Sequence, residues 1–261
     1  MSRPTSRPIA GALVGAALAA GIWESFARSG LFSPALTPSV VDILRSLAGM
    51  IASGALAVHV LATLGRILIG LAGSCLVGVP LGMLMGRFRP VERFFLPLVS
   101  VLSPIPSLAW VPLFILWFGL GNAAAIGLVV YAAIFPLVLN TWTGVRSVNR
   151  LWLRAAEAMG ADPRTLFLKI VLPGALPFII AGFRQAFARG WIAVVGGEMI
   201  AATTRGLGFV IFDAKEYLNA DVMMGSLLVI GLLGLGFERL VFQTIERRSV
   251  GRWGMVRTGR G

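Results

Sequence analysis

The longest uncharged stretch of the chain limits what it can fold into. No residue from 94 to 145 carries a charge. A helix rises about 1.5 Å per residue and the hydrocarbon core of a bilayer is about 30 Å thick, so a straight helix over this stretch would be more than twice as long as a membrane crossing. The stretch must therefore turn, and the Gly-Leu-Gly-Asn segment at 119–122 is suited to that turn. We predict two crossings here, near 95–118 and 123–142.

The composition excludes a soluble enzyme and a disordered chain. Hydrophobic residues make up 57% of the 261 residues and charged residues only 13%, which is about half the charged share of a soluble domain. With a mean hydropathy of +0.87, the chain has too few polar residues to cover a water-facing surface. We therefore predict an all-α integral membrane protein. The single Cys75 and the single His59 cannot form an intrachain disulfide or a metal cluster, so no metal or cofactor site is expected.

Four further segments are predicted to cross the membrane: 9–23, 67–86, 178–202 and 222–242. The segment 178–202 carries charged residues. If it did not cross, however, the basic C-terminal tail would lie outside, against the usual lysine and arginine bias of cytoplasmic loops. The prediction is therefore about six crossings with both termini in the cytoplasm. The first segment also resembles a cleavable signal peptide, and a retained helix is favoured because it keeps this topology consistent.

The crossings divide the chain into four regions. Residues 1–28 form an N-terminal transmembrane helix. Residues 29–60 form an outer connector with a helix that either lies on the membrane surface or a partner, or simply joins its neighbours. Residues 61–245 form a core of helices two to six with a cytoplasmic loop at 143–172, and residues 246–261 form a basic cytoplasmic tail.

The second crossing carries small residues at every fourth position. They are Gly70, Ser74, Gly78, Gly82 and Gly86. In lipid, helices associate where small residues let their backbones approach closely. A second helix is therefore expected to pack on this stripe, and the spacing leaves open whether that helix belongs to this chain or to a second copy.

The third crossing is interrupted by four prolines, Pro97, Pro104, Pro106 and Pro112. Each proline removes a backbone donor and obstructs a carbonyl one turn earlier. Freed carbonyls at membrane depth survive only beside protein or in a water-filled cavity. The pattern predicts a broken helix, which either lines a transport path or is merely kinked and buried.

The cytoplasmic loop contains the signals for two short helices. Residues 151–159 form the first, and Gly160 is suited to a left-handed stop at its end. Asp162 and Pro163 supply a cap and a first-turn proline for the second. A Leu-Pro pair at 172–173 is expected to end that second helix.

The second of these helices carries an apolar pair between two basic residues. We expect Leu166 and Phe167, beside Arg164 and Lys169, to be exposed and to fit the groove of a partner protein. The alternative is that this amphipathic loop rests on anionic lipid headgroups.

The loop resembles the EAA loop of permease subunits in bacterial ATP-binding-cassette importers. That motif reads Glu-Ala-Ala, three residues, Gly, nine residues and Ile-x-Leu-Pro. The matching residues are Ala155, Ala156, Gly160, Ile170, Leu172 and Pro173. The resemblance continues at 104–106 (Pro-Ile-Pro), 116–119 (Leu-Trp-Phe-Gly), 197–201 (Gly-Glu-Met-Ile-Ala) and 206–208 (Gly-Leu-Gly). It is most similar to the branch that imports nitrate, taurine and aliphatic sulfonates.

One position departs from the motif. Arg154 stands where the family has its leading glutamate, and Glu157 follows one helical turn later as the candidate replacement. The resemblance assigns ATPase coupling to Arg154, Ala155, Ala156, Glu157, Gly160, Asp162, Pro163, Leu166, Phe167, Ile170, Leu172 and Pro173. The candidates for the translocation path are Pro104, Pro106, Trp110, Glu198 and Met199.

The resemblance also implies an assembly and a location. It implies the type I importer arrangement in the bacterial inner membrane, with a second copy of the chain and two cytoplasmic ATP-binding subunits. A periplasmic or lipid-anchored solute-binding protein would deliver the solute. Membrane lipid is the other partner, and no nucleic acid is expected. The implied solute is a small anion such as a sulfonate, taurine or nitrate, and the alternative is a vitamin or pyrimidine precursor.

The sequence itself indicates that ATP is hydrolysed elsewhere. A P-loop needs a glycine-rich turn followed by Lys and Ser or Thr, and neither Lys169 nor Lys215, the only lysines, lies in such a turn. An ion-coupled secondary transporter is the alternative, and it would use an intramembrane carboxylate such as Glu198, for which we favour a gating or packing role. A membrane enzyme is disfavoured because His59 and Glu198 have no catalytic partner in the sequence, so no catalytic residue is assigned.

Overall fold

The computed structural model describes residues 7–33, 35–201 and 204–242, and this part of the chain is helical without any strand. The prediction of an all-α membrane protein is confirmed. The basic tail predicted at 246–261 lies outside the described residues.

The N-terminal part contains three helices, α1 (Arg7–Arg28), α2 (Val40–Ala52) and α3 (Ala55–Arg87). Ser39 caps α2 by accepting the Asp42 N–H at 3.2 Å. The predicted connector helix therefore exists. The second crossing begins earlier than residue 67, because Arg66 does not end the helix but is buried inside the bundle.

The third crossing is broken into two helices. α4 (Arg89–Leu102) is followed by a 3-10 turn (Ser107–Trp110) and by α5 (Val111–Phe118), and the two halves meet at 90°. The next turn is at residues 119–121, as predicted. Gly119 and Gly121 adopt φ values of +73° and +130° there, which glycine tolerates without strain.

The C-terminal half contains one unusually long helix. α6 (Asn122–Ser147) and α7 (Arg150–Ala158) precede α8 (Pro163–Leu166), which continues through a π-helical segment (Phe167–Val171) into α9 (Leu172–Ala201). The remaining elements are α10 (Leu207–Glu216), α11 (Ala220–Gly236) and a π-helical end (Phe237–Phe242).

The prediction that Leu172 and Pro173 end the second loop helix is wrong. The chain stays helical from Pro163 to Ala201. A proline inside an α-helix clashes with the carbonyl one turn earlier. The wider π turn directly before Pro173, in which the Leu172 N–H reaches the Phe167 carbonyl, provides room for the ring.

Four helical stretches of the described residues are long and apolar enough to span a membrane: Ala55–Arg87, Asn122–Ser147, Pro163–Ala201 and Ala220–Leu240. The bent pair of α4 and α5 gives a fifth if it counts as one span. The helix α1 is not among these candidate spans. Several of its side chains lie outside the described residues. These spans match the second to sixth predicted crossings.

The small-residue stripe of α3 packs against α6 of the same chain. Ser74 Oγ donates to the Val130 carbonyl at 3.2 Å. A Cβ added to Gly82 would lie 2.6 Å from the Val138 oxygen, and one added to Gly70 would lie 2.5 Å from a Val129 methyl. The helix that packs on this stripe therefore belongs to the same chain and not to a second copy.

α9 packs against the other side of α6, and glycines again allow the two backbones to approach closely. A Cβ on Gly182 of α9 would lie 2.8 Å from the Asn140 Cβ, and one on Gly144 of α6 would lie 2.7 Å from the Phe178 Cβ. α3 and α9 also meet directly, since Ile67 and Leu71 share a buried apolar cluster with Val194. Three tightly packed helices, α3, α6 and α9, therefore form the core.

Replacing Gly82 with alanine is expected to destabilise the protein by about 1–3 kcal/mol, because the added methyl overpacks the α3–α6 contact. The matched control is Gly65→Ala on the same helix, where a Cβ meets nothing within 4 Å. Thermal unfolding of the purified protein in detergent measures both. A Gly82→Ala protein that melts as late as Gly65→Ala would contradict this packing.

Candidate functional site

The first loop helix, α7, is capped at both ends by local hydrogen bonds. Asn149 Oδ1 accepts the Leu151 N–H at 2.8 Å. At the other end Gly160 adopts φ +81°, and the Ala161 N–H donates to the Ala156 carbonyl at 3.0 Å. A left-handed residue with such a bond is the usual glycine stop of a helix. The predicted role of Gly160 in the backbone turn is confirmed.

The turn then leads into α8 through an acidic cap. Asp162 has extended backbone before Pro163, which occupies the first turn of the helix. Hydrogen bonding from the Thr165 side chain holds the pKa of the Asp162 carboxyl below its ordinary value. The carboxylate therefore stays charged at neutral pH, next to the positive end of the helix dipole.

The loop is anchored to the bundle by apolar contacts. Val145, Val171 and Ala175 form a buried cluster against which Leu153 and Phe167 pack. The expected exposure of Leu166 and Phe167 is therefore wrong, because both are half-buried. Pattern alone could not show this, since it depends on how the loop folds back on α6.

Other apolar side chains are exposed on the loop. These are Leu151, Trp152, Met159 and Leu168. Arg154, Ala155, Glu157, Asp162 and Pro163 are also exposed, whereas Ala156 is buried and Ile170, Leu172 and Pro173 are half-buried. The surface available to a partner is thus formed by α7 and its turn rather than by Leu166 and Phe167.

A cavity of about 280 Å³, lined by four arginines and two glutamates, separates the loop from the C-terminal end of α3 and the N-terminal end of α4. Glu157 lines it, whereas Arg154 is not among its lining residues. The cavity walls include Arg87, Arg89 and Arg150. The candidate replacement for the motif glutamate therefore faces a cluster of arginines.

The broken third crossing lines a second cavity, which is open to the surface and about 390 Å³ in volume. Pro104 and Pro106 line it, together with Tyr131 and Phe135 of α6. Tyr131 donates its hydroxyl to the Leu102 carbonyl at 2.7 Å, which also accepts the Ile105 N–H at 3.1 Å. Trp110 lies beside this wall, with its ring 5.1 Å from that of Tyr131. Three path candidates thus lie together at the break.

Glu198 and Met199 lie elsewhere. Met199 is half-buried, and Glu198 is fully buried in a polar cluster at the C-terminal end of α9. Glu198 accepts hydrogen bonds from Arg66 Nη1 at 2.6 Å, from Thr63 Oγ1 at 2.9 Å and from the Gly208 N–H at 3.0 Å. This carboxylate is paired and saturated with donors rather than open to a passing ion.

The cluster joins four parts of the chain. Arg66 of α3 also donates to Asn122 Oδ1 at 2.8 Å and to the Arg205 carbonyl at 2.7 Å. Thr63 accepts the Leu207 N–H at 2.9 Å. Together these bonds link α3, α6, α9 and the start of α10.

A glycine at position 206 is required by this packing. Gly206 has φ +135°, and a Cβ there would lie 2.5 Å from the Glu198 carboxyl carbon and 2.6 Å from Arg66 Nη1. Sequence reasoning missed Arg66 and Thr63 as members of the site. The available signal is a basic residue, Arg66, within an apolar run, which the predicted span at 67–86 places just before the helix.

A bundle of long apolar helices, with a capped loop and a broken span, is the architecture of an integral membrane protein. The chain belongs to the family of binding-protein-dependent transport system inner membrane components, whose profile matches residues 78–242. It is the transmembrane permease subunit of an ATP-driven importer. The resemblance inferred from the EAA-type loop is confirmed.

Several known proteins are similar to the chain. The taurine transport system permease protein TauC of Escherichia coli K12 is 35% identical over 94% of this chain and 90% of its own length. The putative aliphatic sulfonates transport permease protein SsuC of the same organism is 34% identical over 82% of this chain and 81% of its own length. A chain of the inward-facing MetNI methionine ABC transporter matches with a TM-score of 0.65 at 22% identity, over 74% of this chain and 95% of that one. The similarity to the MetNI chain, at this low identity, shows that the two chains share a fold.

Replacing Glu198 with alanine is expected to destabilise the protein by about 3–5 kcal/mol, because Arg66 is left as a buried, uncompensated charge. The control is Glu216→Ala, which removes an exposed partner of Lys215 and should cost no more than about 1 kcal/mol. The melting temperature in detergent is the measurement. Equal effects of the two substitutions would show that the Arg66–Glu198 pair does not hold the outer end together.

Proposed function

We propose that the chain works as a homodimer whose loop, residues 143–172, is driven by two cytoplasmic ATP-binding subunits. A solute-binding protein would deliver cargo on the opposite side of the inner membrane, and both termini would be cytoplasmic. The observation that carries the coupling role is the continuity of helix from Pro163 to Ala201. A docked ATPase would therefore act on an element that itself crosses the membrane.

The length of that element supports a mechanical role. Its 39 residues extend over about 58 Å at 1.5 Å per residue. The inner end carries the rigid turn at Gly160, and the outer end carries Glu198. A displacement of the loop by ATP-driven closure of the ATPases would thus be transmitted to the Arg66–Glu198 pair, and the bundle would switch between inward-open and outward-open states.

We infer further that the solute is a small anion. The two relatives named for taurine and aliphatic sulfonates support a solute with an anionic sulfonate group, and the sequence resemblance adds nitrate. The cavity beside Pro104 and Pro106, about 390 Å³ in volume, is within the size range of small-molecule sites. Pro104, Pro106 and Trp110 are accordingly assigned to the path, and Glu198 to gating.

Co-purification from native membranes tests the assembly. The tagged chain is expected to bring down an ATPase and, after mild crosslinking, a solute-binding protein whose ligand is then identified by mass spectrometry. Purified complex in liposomes should accumulate that ligand only with ATP. Accumulation by the chain alone, driven by a proton or sodium gradient, would overturn the proposal.

Replacing Gly160 with valine is expected to abolish most ATP-dependent uptake while leaving membrane insertion intact. A β-branched residue at φ +81° is strained by at least about 1–2 kcal/mol, so the turn that orients the loop would be lost. Gly160→Asn is the matched control, because asparagine tolerates the left-handed region. Uptake by Gly160→Val at the rate of Gly160→Asn would count against the coupling loop.

A further inference from the structure

The cavity at the broken crossing is lined by an arginine that is exposed rather than packed inside the bundle. Arg189 lines this cavity. In α9 (Leu172–Ala201) it lies about 18 Å from the outer end and about 25 Å from the inner end, at 1.5 Å per residue. A charged side chain at that depth is costly and is normally kept for a function.

The other charges of this helix are compensated, but Arg189 is not. Arg184 forms an ion pair with Glu238, and Glu198 pairs with Arg66. Within the part of the chain that the structure describes, Arg189 has neither an ion pair nor a hydrogen bond. Its guanidinium therefore keeps its donors free for a ligand.

The rest of the cavity wall fits a small anion with an apolar body. Ser103 and Ser107 line the cavity and carry hydroxyl groups. No aspartate or glutamate is among the lining residues, whereas Phe135 and Ile192 are. One guanidinium can hold one oxyanion group through two parallel hydrogen bonds. A second negative charge would remain without a partner.

We propose that Arg189 binds the anionic group of the solute as it crosses, and that the cavity selects small monoanions such as sulfonates or carboxylates. This assignment rests on the proposed role of the chain as an importer of small anions. Arg66, by contrast, is already neutralised by Glu198 and has no free charge to offer. The anion is held at the broken helix, where Ser103 and Ser107 face it beside the guanidinium.

A thiol-labelling experiment tests the site without knowledge of the natural solute. Ser107→Cys is made in a Cys75→Ala background, which removes the single native cysteine, and the assembled importer is treated in membrane vesicles. The probes are an anionic reagent, sulfonatoethyl methanethiosulfonate, and a cationic one, trimethylammonioethyl methanethiosulfonate. The ratio of anionic to cationic labelling rates is expected to fall about tenfold with Arg189→Gln, because a charge in a cleft concentrates opposite ions.

Two further variants separate the charge from the fold. Arg189→Lys keeps the charge and is expected to keep the ratio. A double variant, Arg184→Gln with Glu238→Gln, removes the neighbouring ion pair and should also keep the ratio. An unchanged ratio in Arg189→Gln would overturn the proposal, as would an introduced thiol at position 107 that neither reagent reaches.

Uptake by the reconstituted importer distinguishes this inference from the proposed function. Ethanesulfonate and nitrate serve as probes, and Arg189→Gln should reduce ATP-dependent accumulation about tenfold or more, whereas Arg189→Lys retains most of it. If the wild-type importer accumulates neither anion although the labelling ratio depends on Arg189, the anion-import role fails while the anion site stands. If uptake is normal in Arg189→Gln, the site fails and the importer role stands.

Discussion

The close approach of α3 and α9 to α6 is the constraint on which the other features depend. Lipid provides little hydrophobic force between helices, so contact across small residues has to hold them together. Gly82 of α3 and Gly182 of α9 each lie so close to α6 that a methyl group at either position would clash with it. Because α9 is fixed in this way, the loop before it, the cavity beside it and the polar cluster at its outer end keep defined positions in the bundle.

Features set by local chemistry could be predicted from the sequence. The spans, the turn at residues 119–121 and the stop at Gly160 depend on apolar length and on glycine in a left-handed conformation. The helix continuing through Pro173 could not be predicted, because a π turn that admits a proline leaves no clear pattern. The burial of Leu166 and Phe167 also depends on contacts with a distant helix, which periodicity does not record.

The partners of charged residues in the polar cluster could not be predicted from the sequence either. Glu198 could be singled out as an intramembrane carboxylate, but its partners Thr63, Arg66 and Gly208 come from remote positions. Arg66 directly precedes the span predicted at 67–86, although its side chain is buried in the bundle. Only the fold distinguishes a charge that is neutralised, as here, from one that remains available to a ligand.

That distinction has a consequence for transport. Arg189 belongs to α9, whereas Ser103 and Ser107 belong to the break between α4 and α5. The two halves of the anion site therefore lie on different elements, of which one is continuous with the cytoplasmic loop. A movement of the packed core, α9 included, relative to the break would change the distance between the guanidinium and the hydroxyl groups and so change the affinity of the site. A solute that must be bound and then released in each cycle requires such a change of affinity.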